Sequence, residues 1–131
     1  MASGSEPAAL VADDDADIRE LAVSVLESIG CAVVAAGDGL AALELAAQSP
    51  PALAVLDIRM PKLDGLEVTR RLKADPATSA VPVIVVSASV SDQQQQAAVD
   101  AGADAFLAKP FRVAELRAVA RRLLRPTAGQ A

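Results

Sequence analysis

The chain has no histidine, no tryptophan and no tyrosine, with two phenylalanines and one cysteine among 131 residues. Without an imidazole there is no histidine base, nucleophile or zinc ligand, so Ser-His-Asp chemistry and His-ligated zinc sites are excluded. The lone thiol, Cys31, cannot close an internal disulfide and reads as a buried apolar filler, which suits a reducing compartment. No stretch approaches the roughly 20 apolar residues of a membrane span, and residues 1–7 lack the basic-then-apolar order of a secretory signal. A cytoplasmic protein with no membrane partner is expected. Charge is also scarce: 12 basic against 17 acidic residues give a net charge of -5, which offers no overall field for a polyanion and no expectation of direct nucleic-acid binding.

What the sequence does contain is aliphatic. The hydrophobic fraction is 53%, with 34 Leu, Val and Ile residues and 30 alanines, so the branched side chains must fill a core while alanine lets helices approach a sheet closely. A chain of this length forms one domain that buries about two-thirds of its surface without metals or disulfides. The sign of charge is uneven. Residues 1–66 hold 3 basic and 11 acidic groups and residues 67–131 hold 9 and 6, which makes the first half the side for a cation.

The hydrophobic period switches repeatedly. A short apolar run at 8–12 ends in Asp13, Asp14 and Asp15; Ile18, Leu21, Ala22, Val25, Leu26 and Ile29 then recur at helical spacing, with Asp15 or Asp17 as cap and Gly30 as stop. Runs at 31–35, 52–56, 83–86 and 105–107 predict four further strands, and segments at 40–48, 66–75, 92–101 and 113–124 predict four further helices. Of these, the glutamine-bearing 92–101 has only a weak apolar stripe. Five strands alternating with five helices predict an α/β fold with a parallel sheet covered on two faces. The flavodoxin-like order 2-1-3-4-5 fits best, and it places strand 1 beside strand 3.

That neighbourhood matters because both strands end in acids. Asp13, Asp14 and Asp57 would converge on one crevice, where like charges repel unless neutralised, and a hard, oxygen-seeking dication such as Mg²⁺ is the natural neutraliser. Lys109 after strand 5 and Ser87 at the end of strand 4 point to the same sheet edge. Together these groups suit an anionic phosphoryl group on Asp57.

The four segments that carry these residues are Ala-Leu-Val-Ala-Asp-Asp at 9–14, Leu-Asp-Ile-Arg-Met-Pro-Lys-Leu-Asp-Gly at 56–65, Val-Ile-Val-Val-Ser-Ala at 83–88, and Gly-Ala-Asp-Ala-Phe-Leu-Ala-Lys-Pro-Phe at 102–111. In order and spacing the chain resembles the receiver domain of two-component response regulators over residues 8–125, leaving 1–7 and 126–131 as short flexible termini. The resemblance implies that Asp57 is the phosphoacceptor and that Asp13, Asp14, Asp57 and the backbone carbonyl of Arg59 hold Mg²⁺, Asp14 more directly than Asp13. It also implies that Lys109 pairs with Asp57 or the phosphoryl oxygens, that Ser87 bonds a phosphoryl oxygen, and that Phe106 is an aromatic switch. A cis peptide before Pro110, a loop turn at Gly65 and local capping by Asp64 follow from the same likeness.

Two positions depart from the commoner pattern: Phe106 stands where many relatives have tyrosine, and Ser87 where threonine is commoner. The implied partners are a sensor histidine kinase or a histidine phosphotransfer domain, and an unidentified output protein or domain; dimerisation on phosphorylation is allowed. The implied role is signalling rather than turnover of a metabolite. Residues 125–131 are too few for an output module, so either a stand-alone regulator or a receiver of a longer protein is expected. A haloacid-dehalogenase-like phosphatase needs a second acid two residues beyond the acceptor, where Arg59 stands. A flavin module needs a phosphate cradle where three aspartates stand. A phosphorylation-independent pseudo-receiver is the remaining alternative, and the full set of acids, hydroxyl and lysine argues against it.

Overall fold

The structure, a computed structural model, describes residues 6–124. Its elements are β1 (Ala8–Ala12), α1 (Ala16–Ser28), β2 (Ala32–Ala36), α2 (Gly39–Gln48), β3 (Leu53–Asp57), α3 (Gly65–Ala74), β4 (Val83–Ser87), α4 (Asp92–Ala101), β5 (Ala105–Ala108) and α5 (Val113–Leu124). Every ladder is parallel and the order is β2-β1-β3-β4-β5, the expected flavodoxin-like arrangement. Apart from Glu6 and Pro7, the segments expected to be flexible termini lie outside the described residues, as does Arg125.

Strand alternation divides the core in two. Leu10, Ala12, Ala54, Leu56, Val83 and Val85 face α2, α3 and α4, meeting Ala42, Ala46, Val68, Leu72 and Ala98. The intervening residues, Ala9, Val11, Leu53, Val55, Ile84 and Val86, face α1 and α5, meeting Ala22, Val25, Leu26, Leu116 and Ala120. All five residues of β3 and of β4 are buried, which explains why these central strands read as continuous apolar runs while the edge strands β2 and β5 do not. The helices lay alanines on the sheet, so the leucines and valines supply the volume. No helix among the described residues is long and apolar enough to cross a membrane.

The caps settle what periodicity left open. Asp15 is the N-cap of α1, accepting from the amides of Asp17 and Ile18, while Asp17 sits in the first turn and suits the helix dipole. Asp38, Asp64 and Ser91 cap α2, α3 and α4 in the same way. At the other end of α1, Gly30 takes a φ of 96°, its amide donating to the carbonyl of Glu27 and that of Cys31 to the carbonyl of Leu26. That bond pattern is the helix-ending Schellman motif, and it is why β2 begins at Ala32 rather than Cys31. Cys31 itself is buried against Leu26 and its neighbours, as an apolar filler would be.

Candidate functional site

The carboxyl ends of β1, β3 and β4 and the segment after β5 meet at one edge of the sheet. Asp13 directly follows β1 and is 3% exposed; Asp57 is the last residue of β3 and is 5% exposed; Asp14, beside Asp13, is exposed. One carboxylate oxygen from each lies within 4.8 Å of the others. Lys109 Nζ sits 2.9 Å from Asp13 Oδ2 and 3.1 Å from Asp57 Oδ1. The lysine is held there through its own backbone, whose amide donates to the carbonyl of Ser87 at 2.8 Å; the expected cis peptide joins it to Pro110.

The sequence pairs Lys109 with Asp57; the structure gives it Asp13 as well, slightly closer. Both carboxylate oxygens of Asp13 are engaged, Oδ1 accepting the amide of Asp15 at 2.9 Å and Oδ2 taking the ammonium. Among the described residues no hydrogen bond engages the carboxylate of Asp14.

Two carboxylates sharing one ammonium have unequal consequences. Burial pushes the Asp57 carboxyl above its ordinary range, and the neighbouring Asp13 charge pushes the same way; the hydrogen bond and charge of Lys109 offset only part of this. For Lys109, burial pulls downward, but bonds to Asp13 and Asp57 outweigh it and the ammonium is held above its ordinary range. The lysine is therefore charged at neutral pH, and Asp57 is a carboxylate whose ionisation the fold resists.

Three carboxylates against one ammonium leave a formal charge of -2, counting Asp13, Asp14 and Asp57 against Lys109. The donors are all hard oxygens, two of them on rigid strand ends. That set fits a dication and has no soft ligand for a thiophilic metal. The cleft bordered by Asp14, Asp57 and Lys109 has a volume of about 770 Å³ and includes Arg59, Ser87 and Gln94 in its lining. In the loop after β3, the carbonyl of Ile58 accepts the amide of Gly65 at 2.9 Å, whereas no described hydrogen bond uses that of Arg59.

Ser87 ends β4, 5% exposed, and its Oγ accepts the amide of Ser89 at 3.0 Å, which leaves its proton to donate elsewhere. Register aligns Val85 with Phe106 and Ser87 with Ala108, so Ser87 and Phe106 share one face of the sheet. Phe106 is half-buried and packs on the core beneath α3 and α4.

The family model for the response regulator receiver domain matches residues 9–121. The chain belongs to this family. The receiver is 45% identical over 118 residues to the response regulator MprA of Mycobacterium sp. (strain KMS), covering 90% of this chain and 50% of that protein, and 44% identical to MprA of Mycobacterium leprae, covering 90% and 51%. It thus spans about half the length of the curated relatives it matches. Among solved structures, the receiver domain of the Francisella response regulator 1452 aligns with a TM-score of 0.84 at 33% identity, covering 91% of this chain and 97% of that one. The receiver domain of sensor histidine kinase PA1611 from Pseudomonas aeruginosa PAO1, which carries a magnesium ion coordinated in its active site cleft, aligns with a TM-score of 0.83 at 28% identity, covering 91% and 98%.

Three features of the receiver escape a reading of its sequence. Gly65 serves close approach rather than a turn: its φ is not positive, and a Cβ there would lie 2.1 Å from the carbonyl oxygen of Asp57. Lys62, by contrast, takes a φ of 71°, a conformation no side-chain pattern announces. Arg19, one turn into α1, donates from Nη1 to the main-chain carbonyl of Asp13 at 2.7 Å. An arginine inside an amphipathic helix carries no signal that separates such a bond from an ordinary solvated charge.

Proposed function

We propose that the receiver takes a phosphoryl group from a phosphohistidine onto Asp57 and uses the resulting aspartyl phosphate to switch its contacts with an output protein or domain. The observation that carries this reading is the placement of Asp57: a buried carboxylate at a strand end, 3.1 Å from Lys109, within a cluster of three acids that fits a dication.

A carboxylate oxygen of Asp57 forms a bond to phosphorus as the P–N bond of the donor breaks; the imidazole departs with the electron pair of that bond and is protonated. Lys109 is positioned to pair with the equatorial oxygens of the group in transit. Asp14, Asp57 and the carbonyl of Arg59 would hold Mg²⁺ directly, with Asp13, whose oxygens already bond Lys109 and the Asp15 amide, acting partly through water. When bound, Mg²⁺ supplies positive charge for the phosphoryl oxygens. Hydrolysis of the mixed anhydride by water resets the domain. A sensor histidine kinase or a histidine phosphotransfer domain is the donor this chemistry asks for.

Switching requires that the phosphoryl group interact differently with two states of the domain. The Ser87 proton provides the difference, since a phosphoryl oxygen on Asp57 can draw it across from the neighbouring strand. Phe106, on the same sheet face, responds to the space that movement vacates, and it does so by apolar burial alone because it lacks a hydroxyl. Treatment with phosphoramidate and Mg²⁺ is expected to shift amide resonances at Phe106 and along α4 in the wild type. S87A should accept the phosphoryl group and lose most of that shift. An S87A spectrum that reaches the wild-type active form would refute the coupling, and an equal response in D57N would refute the acceptor.

A further inference from the structure

Asp13 is fixed at every polar group it has. Its amide donates to the carbonyl of Ala36 at the end of β2 at 3.2 Å, its carbonyl accepts from Arg19 Nη1 at 2.7 Å, Oδ1 accepts the amide of Asp15 at 2.9 Å and Oδ2 takes Lys109 at 2.9 Å. Asp14 follows on the same stretch of backbone with an exposed side chain, so its carboxylate goes where the main chain of Asp13 and Asp15 sends it. Two of the three acids of the cluster therefore depend on one peptide segment. Among the described residues, the bond to Arg19 is the only one orienting the segment that is made by a cation outside the acidic cluster.

The guanidinium lies beside Gly37 in the loop between β2 and α2, where a Cβ would stand 3.6 Å from Nη1. Arg19 thus reaches from α1 across the open end of the sheet to the carbonyl of Asp13, which is well suited to charge-assisted bonding. Electrostatics alone opposes such a placement. A positive charge beside a site for a dication weakens binding by repulsion, so an arginine here helps only if the geometry it enforces outweighs the field it adds.

We propose that Arg19 is a positioning residue that holds the Asp13–Asp14 segment in the shape that binds a divalent cation. This rests on the assignment of the acidic cluster as a Mg²⁺ site. Residues that orient ligands without touching the metal commonly change affinity by about 10–100-fold, and a main-chain bond of this kind belongs near the lower end, about tenfold.

The two effects of Arg19 have opposite signs, which makes the test decisive. Mg²⁺ is titrated into wild type, R19M, R19K and D14N with backbone-amide NMR as the readout, because no tryptophan or tyrosine is present to report binding, and each metal-free variant is melted in parallel. R19M is expected to bind Mg²⁺ about tenfold more weakly than wild type, with R19K, which keeps a cationic donor on the same turn of α1, recovering part of the loss. Tighter binding by R19M would mean that charge alone mattered and would overturn the proposal. Mg²⁺ affinity unchanged in R19M, whether or not its melting temperature falls, would reduce Arg19 to a structural contact and also overturn it. If wild type binds and D14N does not, the metal site stands whatever R19M does; if wild type itself shows no saturable shift at residues 13–15 and 57–59, the metal assignment fails and this proposal with it.

Discussion

Gly65→Ala is expected to destabilise the receiver by about 2–4 kcal/mol and to suppress phosphoryl acceptance at Asp57. A Cβ on Gly65 would stand 2.1 Å from the carbonyl oxygen of Asp57 and 2.8 Å from its carbonyl carbon. Both are main-chain atoms, so no rotamer change relieves the overlap; either the end of β3 or the start of α3 must move, and with it the bond from the Gly65 amide to the Ile58 carbonyl. Helix propensity argues the other way. Gly65 is the first residue of α3, its φ is not positive, and in a helix alanine is favoured over glycine by about 1 kcal/mol. The steric term wins because it falls on main-chain atoms at the end of β3, a strand buried at every residue. Urea unfolding of wild type and G65A measures the balance, and a variant as stable as wild type would show that the contact relaxes without strain.

Lys109→Met should lower the stability of the metal-free protein by about 2–3 kcal/mol at neutral pH, below the 3–5 kcal/mol typical of breaking a fully buried pair because the cleft admits water. The methionine leaves Asp13 and Asp57 facing each other without the shared ammonium. In the folded wild type the lysine is held above its ordinary value of 10.5, so its pairing contributes fully below that pH and is lost as pH rises through the raised folded value. Asp57 follows the same sign in a lower pH window. With a folded pKa above the ordinary 3.8, its stabilisation is complete only below that pH and fades as pH rises through the raised value, so its ionisation works against the metal-free fold at neutral pH. The deficit of K109M is therefore expected to shrink as pH falls into the carboxylate range, and to shrink again when Mg²⁺ is added. Thermal melts across pH, with and without Mg²⁺, test both; a deficit independent of pH and metal would mean that packing of the lysine stem, and not its charge, is what is lost.

The parts of this receiver that were legible in its sequence are those set by one-dimensional pattern. An apolar run that stops dead at an aspartate locates Asp13 and Asp57 at strand ends, and the alternation of β and α periods fixes the neighbours that bring them together. What could not be read depends on ångström-scale placement. Whether Lys109 meets Asp57 alone or Asp13 too is decided by the backbone of the segment after β5, held to the carbonyl of Ser87. Asp15 and Asp17 are chemically alike as caps, and only the dihedrals at Asp15 distinguish them. Gly65 looks like a turn glycine because it ends a loop, yet it is required by the carbonyl opposite it. Arg19 looks like a solvated helix charge because its acceptor is a main-chain oxygen six residues away, which no side-chain motif encodes.

The central claim is that Asp57 forms an acyl phosphate with the help of the acidic cluster. The intact mass of the protein after incubation with phosphoramidate and Mg²⁺ tests it most directly, alongside D57N and a sample held in chelator. The account predicts one added phosphoryl mass on the wild type, located to Asp57 by peptide mapping, and none on D57N or in the absence of metal. Modification of D57N to the same extent as wild type, or a wild type that remains unmodified in the presence of Mg²⁺, would contradict it.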